Sequence, residues 1–182
     1  MNNDAEKNIN LVKNLQSRDK AKSRRAFDEI YRIYSGMILR ICSIELKNSY
    51  LAEDVFQNTF IQFYESATQA KEIKNIRNML ITIAKNACKN ELKRNKAFSL
   101  EDVSFEIEDK DYDRNEKSEL VDMAIASLDE KYREPLILKE FVGMSYKDIC
   151  AKLDITEQQL TMRLFRAKKA LAKILESILK EL

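Results

Sequence analysis

Apolar residues recur along this chain at three- and four-residue intervals rather than at every second position, which predicts helices nearly throughout. Phe27, Ile30, Tyr31, Tyr34, Ile38, Ile41 and Cys42 place a long amphipathic helix over about Arg25 to Leu46. Phe56, Phe60 and Phe63 share one side of a second helix, from about Ala52 to Tyr64, whose Glu53, Asp54, Gln57 and Gln62 stay polar. After a loop predicted over Ser66 to Lys74, a third helix begins near Asn75 and is expected to pack Ile76, Leu80, Ile83 and Ala87. Its other side repeats Asn78, Thr82, Lys85, Lys89 and Lys93, with Asn86, Asn90 and Arg94 on the adjoining edge. Cations mixed with amides can hold phosphates and hydrogen-bond base edges, although a solvated lysine face is the more ordinary meaning of such a stripe.

Residues 126–175 carry the pattern of a helix-turn-helix. Ser145 followed three positions later by Asp148 marks a helix start, and Tyr146, Ile149, Cys150 and Leu153 share one face of a short helix. Asp154 sits where the chain must turn, a place that Asp tolerates better than most residues. Thr156 and Gln159 then have the spacing of a reciprocal capping box. Leu160, Leu164, Ala167, Leu171, Ile174 and Ile178 line the inner face of the second helix, which leaves Arg163, Arg166, Lys169 and Lys173 on its flanks and outer side. Helix pairs of this geometry are common, so the pattern alone does not establish DNA binding.

Composition supports an all-α protein: 182 residues hold only two Gly and one Pro against 45% hydrophobic residues, enough for one ordinary domain or two small ones. No stretch approaches the roughly 18 unbroken apolar residues of a membrane span, and the first residues lack the basic-then-apolar order of a signal peptide. A cytoplasmic location without membrane insertion is expected. Cys42, Cys88 and Cys150 are far apart and fall on apolar helical faces, as buried free thiols do. With no His and no paired Cys motif, neither a metal nor a cofactor is expected. The missing general base, Gly-rich phosphate loop and nucleophile elbow argue against an enzyme.

Charge divides the chain. Residues 1–98 carry a net +7, residues 99–122 a net −7 and residues 123–182 a net +2. The expected organisation is a helical domain over 8–98, an extended acidic tether over 99–122 and a smaller helical domain over 123–182.

This order of features resembles the extracytoplasmic-function (ECF) sigma factors, small members of the sigma-70 class of bacterial RNA polymerase. Leu11-Val-Lys-Asn-Leu-Gln and Ala26-Phe-Asp-Glu-Ile-Tyr-Arg-Ile-Tyr34 resemble the opening of region 2. Ala52-Glu-Asp-Val-Phe-Gln-Asn-Thr-Phe60 resembles the segment that docks on core polymerase. Ile83-Ala-Lys-Asn86 and the basic run to Lys96 resemble the helix that meets the melted minus-ten element. Leu128-Asp-Glu-Lys-Tyr-Arg-Glu-Pro135, Gly143-Met-Ser-Tyr146 and Arg163-Leu-Phe-Arg-Ala-Lys168 resemble region 4, the reader of the minus-thirty-five element.

The resemblance implies a promoter-recognition subunit without catalysis, whose partners are core RNA polymerase, promoter DNA and an anti-sigma factor. It assigns Glu53, Asp54, Gln57 and Phe60 to core polymerase, and Lys74, Lys85, Asn86, Lys89, Asn90 and Lys93 to the minus-ten strand. Thr156, Gln159, Thr161, Arg163, Phe165, Arg166 and Lys169 are assigned to the minus-thirty-five element, with Gln159 expected at adenine or phosphate. The loop from Ala67 to Lys74 corresponds to the family's pocket for a flipped base. Two departures stand out: Met79-Leu80 lacks the frequent Trp, and Gln158-Gln-Leu-Thr-Met-Arg163 replaces the frequent Gly-Thr-Val-Lys-Ser-Arg. The tether has two open roles, occupying the RNA exit path in place of a polyanion or serving as a solvated spacer. A stand-alone helix-turn-helix regulator and a helical interaction protein remain the competing functions.

Overall fold

In the computed structural model, which describes residues 2–73, 75–98 and 116–181, every regular element among the described residues is helical. The chain divides into two units, Met1–Glu106 and Ile107–Leu182.

Unit 1 contains α1 (Asn2–Leu15), α2 (Lys20–Leu46), α3 (Ser49–Gln69) and α4 (Ile76–Phe98). The Asp19 carboxylate starts α2 by accepting the N–H groups of Ala21 at 2.9 Å and Lys22 at 3.2 Å. Lys47 ends it in the left-handed region at φ 54°, and Asn48 at once caps α3 by accepting the Leu51 N–H at 3.0 Å. Two residues thus reverse the chain and lay α3 along α2, while α4 packs against both. Ile30, Ile38, Ile41, Phe63, Leu80 and Ala84 are fully buried between these three helices. Beside them Phe27 meets Tyr64 edge-on at 5.3 Å, Tyr31 meets Phe60 at 4.8 Å, and Phe56 meets Phe60 at 5.3 Å. α1 covers α2 through Leu11 and Leu15, and the Ser23 hydroxyl donates to the Leu15 carbonyl at 2.7 Å.

The end of α3 and the packed face of α4 differ from the sequence expectation. Burial of Ala67 carries α3 on to Gln69, so the helix takes in the first residues of the predicted Ser66 to Lys74 loop, and Lys74 lies outside the described residues. α4 buries Ile76, Leu80, Ile81, Ala84 and Cys88, whereas Ile83 and Ala87 are half-buried. Both sets have helical spacing, and the straight four-residue ridge is the one that α2 and α3 cover.

Unit 2 contains α5 (Glu116–Ala126), α6 (Glu130–Leu136), a π-helical turn (Ile137–Phe141), α7 (Tyr146–Leu153) and α8 (Glu157–Glu181). Residues 116–122, expected as the end of an extended tether, are helical because α5 buries Asp122, Ala124 and Ile125. Residues 99–115 of the tether lie outside the described residues. Asp129 caps α6 by accepting the Lys131 N–H at 3.0 Å, and that bond above all holds its carboxyl below the ordinary aspartate range. Pro135 removes a donor inside α6, and the next turn widens so that the Val142 N–H reaches the Ile137 carbonyl at 3.1 Å. Gly143, at φ 69°, turns the chain toward α7.

Cys42 and Cys88 are buried as expected, but Cys150 is only half-buried. A hydrogen bond with Cys42 and burial push the Cys88 thiol far up, which keeps it protonated and unreactive.

Candidate nucleic-acid and protein interfaces

The helix-turn-helix is fixed by local hydrogen bonds. The Asp148 N–H donates to Ser145 Oγ at 3.1 Å, and that hydroxyl donates to the Asp148 carboxylate at 2.6 Å. Asp154 makes the turn at φ 51°, its N–H bonded back to the Cys150 carbonyl. The Gln159 N–H then donates to Thr156 Oγ1 at 3.2 Å while the Thr156 N–H donates to Gln159 Oε1 at 2.9 Å. Both caps have the partners their spacing predicts.

On α8, Leu160, Leu164 and Ala167 are buried against the rest of the unit. Thr156, Gln159, Thr161, Phe165, Arg166 and Lys169 are exposed, and Arg163 is half-buried. The cap limits what Gln159 can do. Its amide oxygen holds the Thr156 N–H with one lone pair, which fixes the orientation of the amide and leaves the second lone pair and the two amide hydrogens for DNA. Thr161 likewise spends its hydroxyl hydrogen on the Glu157 carbonyl at 2.9 Å and offers phosphate no donor in this rotamer. Lys168 instead pairs with Glu140 at 2.9 Å, joining α8 to the π-helical turn, and the pair raises the lysine's pKa. A groove of about 560 Å³ beside Tyr132 is rimmed by Arg166, Lys169, Lys173 and Glu176. Three cations to one carboxylate favour a polyanion along this side.

α4 turns Asn78, Thr82, Asn86, Lys89, Asn90 and Lys93 to solvent. Lys85 departs from the predicted stripe. Its ammonium lies 3.7 Å from Glu45 of α2, and the two side chains are only 16% and 13% exposed, so Asn86 takes the outward place on that turn. Where the predicted pocket loop begins, Gln16 Nε2 donates to the carbonyls of Ala67 and Ala70, both at 2.8 Å. Nothing local marks Gln16 for this task, because its partners are more than fifty residues away in the chain.

On α3, Asp54 and Gln57 are exposed and Glu53 is half-buried. Phe60 is buried in the aromatic cluster, which corrects its expected role as a partner contact to one in the core. Ile61, 56% exposed, instead shares the outward face with Asp54, Gln57 and Asn58. The sequence pattern assigns Ile61 no role, and the folded helix reveals it.

The chain matches the family descriptions "Sigma-70 region 2" over residues 30–98 and "Sigma-70, region 4" over residues 118–171. It is 30% identical to the RNA polymerase sigma-H factor of Pseudomonas aeruginosa, covering 97% of this chain and 97% of that one. Two solved structures share the fold. CnrH in complex with the cytosolic domain of CnrY superposes with a TM-score of 0.63 at 19% identity, covering 93% of this chain and 97% of that one. The sigma factor RpoE in complex with the anti-sigma factor NepR from Bartonella quintana gives 0.64 at 20% identity, covering 82% of this chain and 96% of that one.

Proposed function

The chain belongs to the sigma-70 family of RNA polymerase sigma factors, and from that premise we propose how its surfaces divide the work of promoter recognition in an ECF-type initiation factor. α3 docks on core polymerase. Asp54 offers an exposed carboxylate suited to a basic partner surface, Gln57 and Glu53 flank it, and Ile61 supplies apolar contact area.

α4 holds the melted minus-ten strand. Lys89 and Lys93 meet phosphates, while Asn86 and Asn90 offer both donors and acceptors to unpaired bases. Flipping a base costs a few kcal/mol of stacking, which contacts along this strip and in the loop after α3 must return. α8 enters the minus-thirty-five duplex with Arg166, Lys169 and Phe165 outward.

The observation that carries this reading is the pairing, in one chain, of a region 2 unit with a cation-and-amide strip and a region 4 unit with a fully capped helix-turn-helix. On this reading the chain performs no catalytic step and works in the cytoplasm, and among the described residues no helix is long and apolar enough to cross a membrane. An anti-sigma protein is the natural inhibitory partner, as the RpoE–NepR complex has for its own sigma factor.

The test mixes the purified chain separately with core polymerase and with promoter duplex. Tight binding to core and weak binding to free DNA are expected. The reverse would replace this reading with an operator-binding regulator.

A further inference from the structure

The outermost strip of α8 is not purely polar. Gln158, Met162, Phe165 and Lys169 follow one another at i, i+4, i+7 and i+11, opposite the buried Leu160, Leu164 and Ala167. Met162 is 48% exposed and Phe165 63% exposed, so two large apolar side chains stand together in the middle of this strip. The buried face that holds α8 in place is the other one.

We infer that Met162 reads a thymine 5-methyl group in the major groove of the duplex that α8 enters. Among the edges that base pairs display in that groove, the thymine methyl is the apolar one. An unbranched thioether adapts its three torsions to reach it, which a β-branched side chain at this position does not. Arg166, Lys169 and Lys173 lie along the same outward side, and their charge complements the phosphates bounding the groove. Thymine recognition would thus fall to a residue that forms no hydrogen bond with a base. This inference rests on the assignment of α8 to the minus-thirty-five duplex.

The test uses holoenzyme assembled from the full chain and core polymerase. Duplexes randomised over the minus-thirty-five element are selected for binding, and each thymine of the enriched sequence is then replaced in turn by deoxyuridine. That exchange removes the methyl and leaves every hydrogen-bonding group in place. One replacement should weaken binding about fourfold, the value of one buried methyl-sized group. Met162→Ala should bind the thymine and deoxyuridine forms of that duplex equally while keeping its helix content and its affinity for core. Phe165→Ala should retain the discrimination at that base.

A flat deoxyuridine scan with a selective holoenzyme overturns the inference alone, and so does a Met162→Ala protein that keeps the wild-type discrimination. Loss of core binding by Met162→Ala also overturns it, by making Met162 a protein contact. If the wild-type chain forms no holoenzyme, or the holoenzyme enriches no upstream sequence, the assignment of α8 fails and this inference fails with it.

Discussion

α4 and α8 both turn cations to solvent, yet α4 intersperses its lysines with asparagines whereas α8 sets arginine and lysine around a methionine and a phenylalanine. The difference suits the targets proposed for them, a melted strand for α4 and a duplex for α8. Unstacked bases expose edges with both donors and acceptors, which an amide can match from either side, while a closed duplex shows only its groove edges and thymine methyls. The two helices also differ in how they are held. α8 is fixed by caps between residues three apart, but the outward strip of α4 depends on a lysine drawn off to α2 and on helices packed from two sides.

The harshest way to break this contrast is to loosen the support beneath unit 1. Phe60→Ala should cost about 3–5 kcal/mol, the usual penalty for emptying a buried aromatic site, and should move the unit 1 transition in denaturant melts while leaving that of unit 2 in place. Loss of core binding without loss of stability would instead return Phe60 to the interface. Asp54→Arg makes the complementary case: affinity for core should fall about tenfold or more with unchanged helix content, a loss of roughly 1.4 kcal/mol in binding. Equal capture by core in a pull-down would remove Asp54 from the docking face.

Thr156→Ala tests the local half of the contrast. Removing this cap should destabilise unit 2 by about 1 kcal/mol, read as a lower denaturation midpoint, and leave unit 1 unaffected. Salt titrations give the finest comparison. Arg166→Ala should lower the slope of log affinity against log salt by about 0.9 on upstream duplex, and Lys89→Ala by about 0.7 on the melted strand. Lys85→Ala should change the strand slope less than Lys89→Ala, because Glu45 already neutralises Lys85. Equal slopes for the two lysine variants would put Lys85 back on the strand-binding strip.

These two regions also differ in how far they were legible before folding. Ser145 with Asp148, and Thr156 with Gln159, are partners within one helical turn, so their spacing alone fixed the caps and the turn between them. The places of Lys85 and Phe60 differ from the sequence expectation, and Ile61 carries no sequence signal, for one shared reason. Whether a residue on an amphipathic helix faces a neighbour or solvent depends on where the other helices lie, and Glu45 and Tyr31 are distant in sequence from the side chains they meet. Ile81 and Ile83 show the same ambiguity at its smallest, two isoleucines on opposite edges of the packed side of α4 of which the neighbours fully cover one. Gln16, which pins the carbonyls at the end of α3, had no local signal at all.

The reciprocal bonds between Thr156 and Gln159 carry a consequence for how promoter preference evolves. A substitution of Gln159 that brings a new base contact also strips the first turn of α8 of its fastener. Drift toward a new upstream sequence at this residue therefore carries a fraying penalty, whereas change at Met162, which is no part of that cap, leaves both bonds in place.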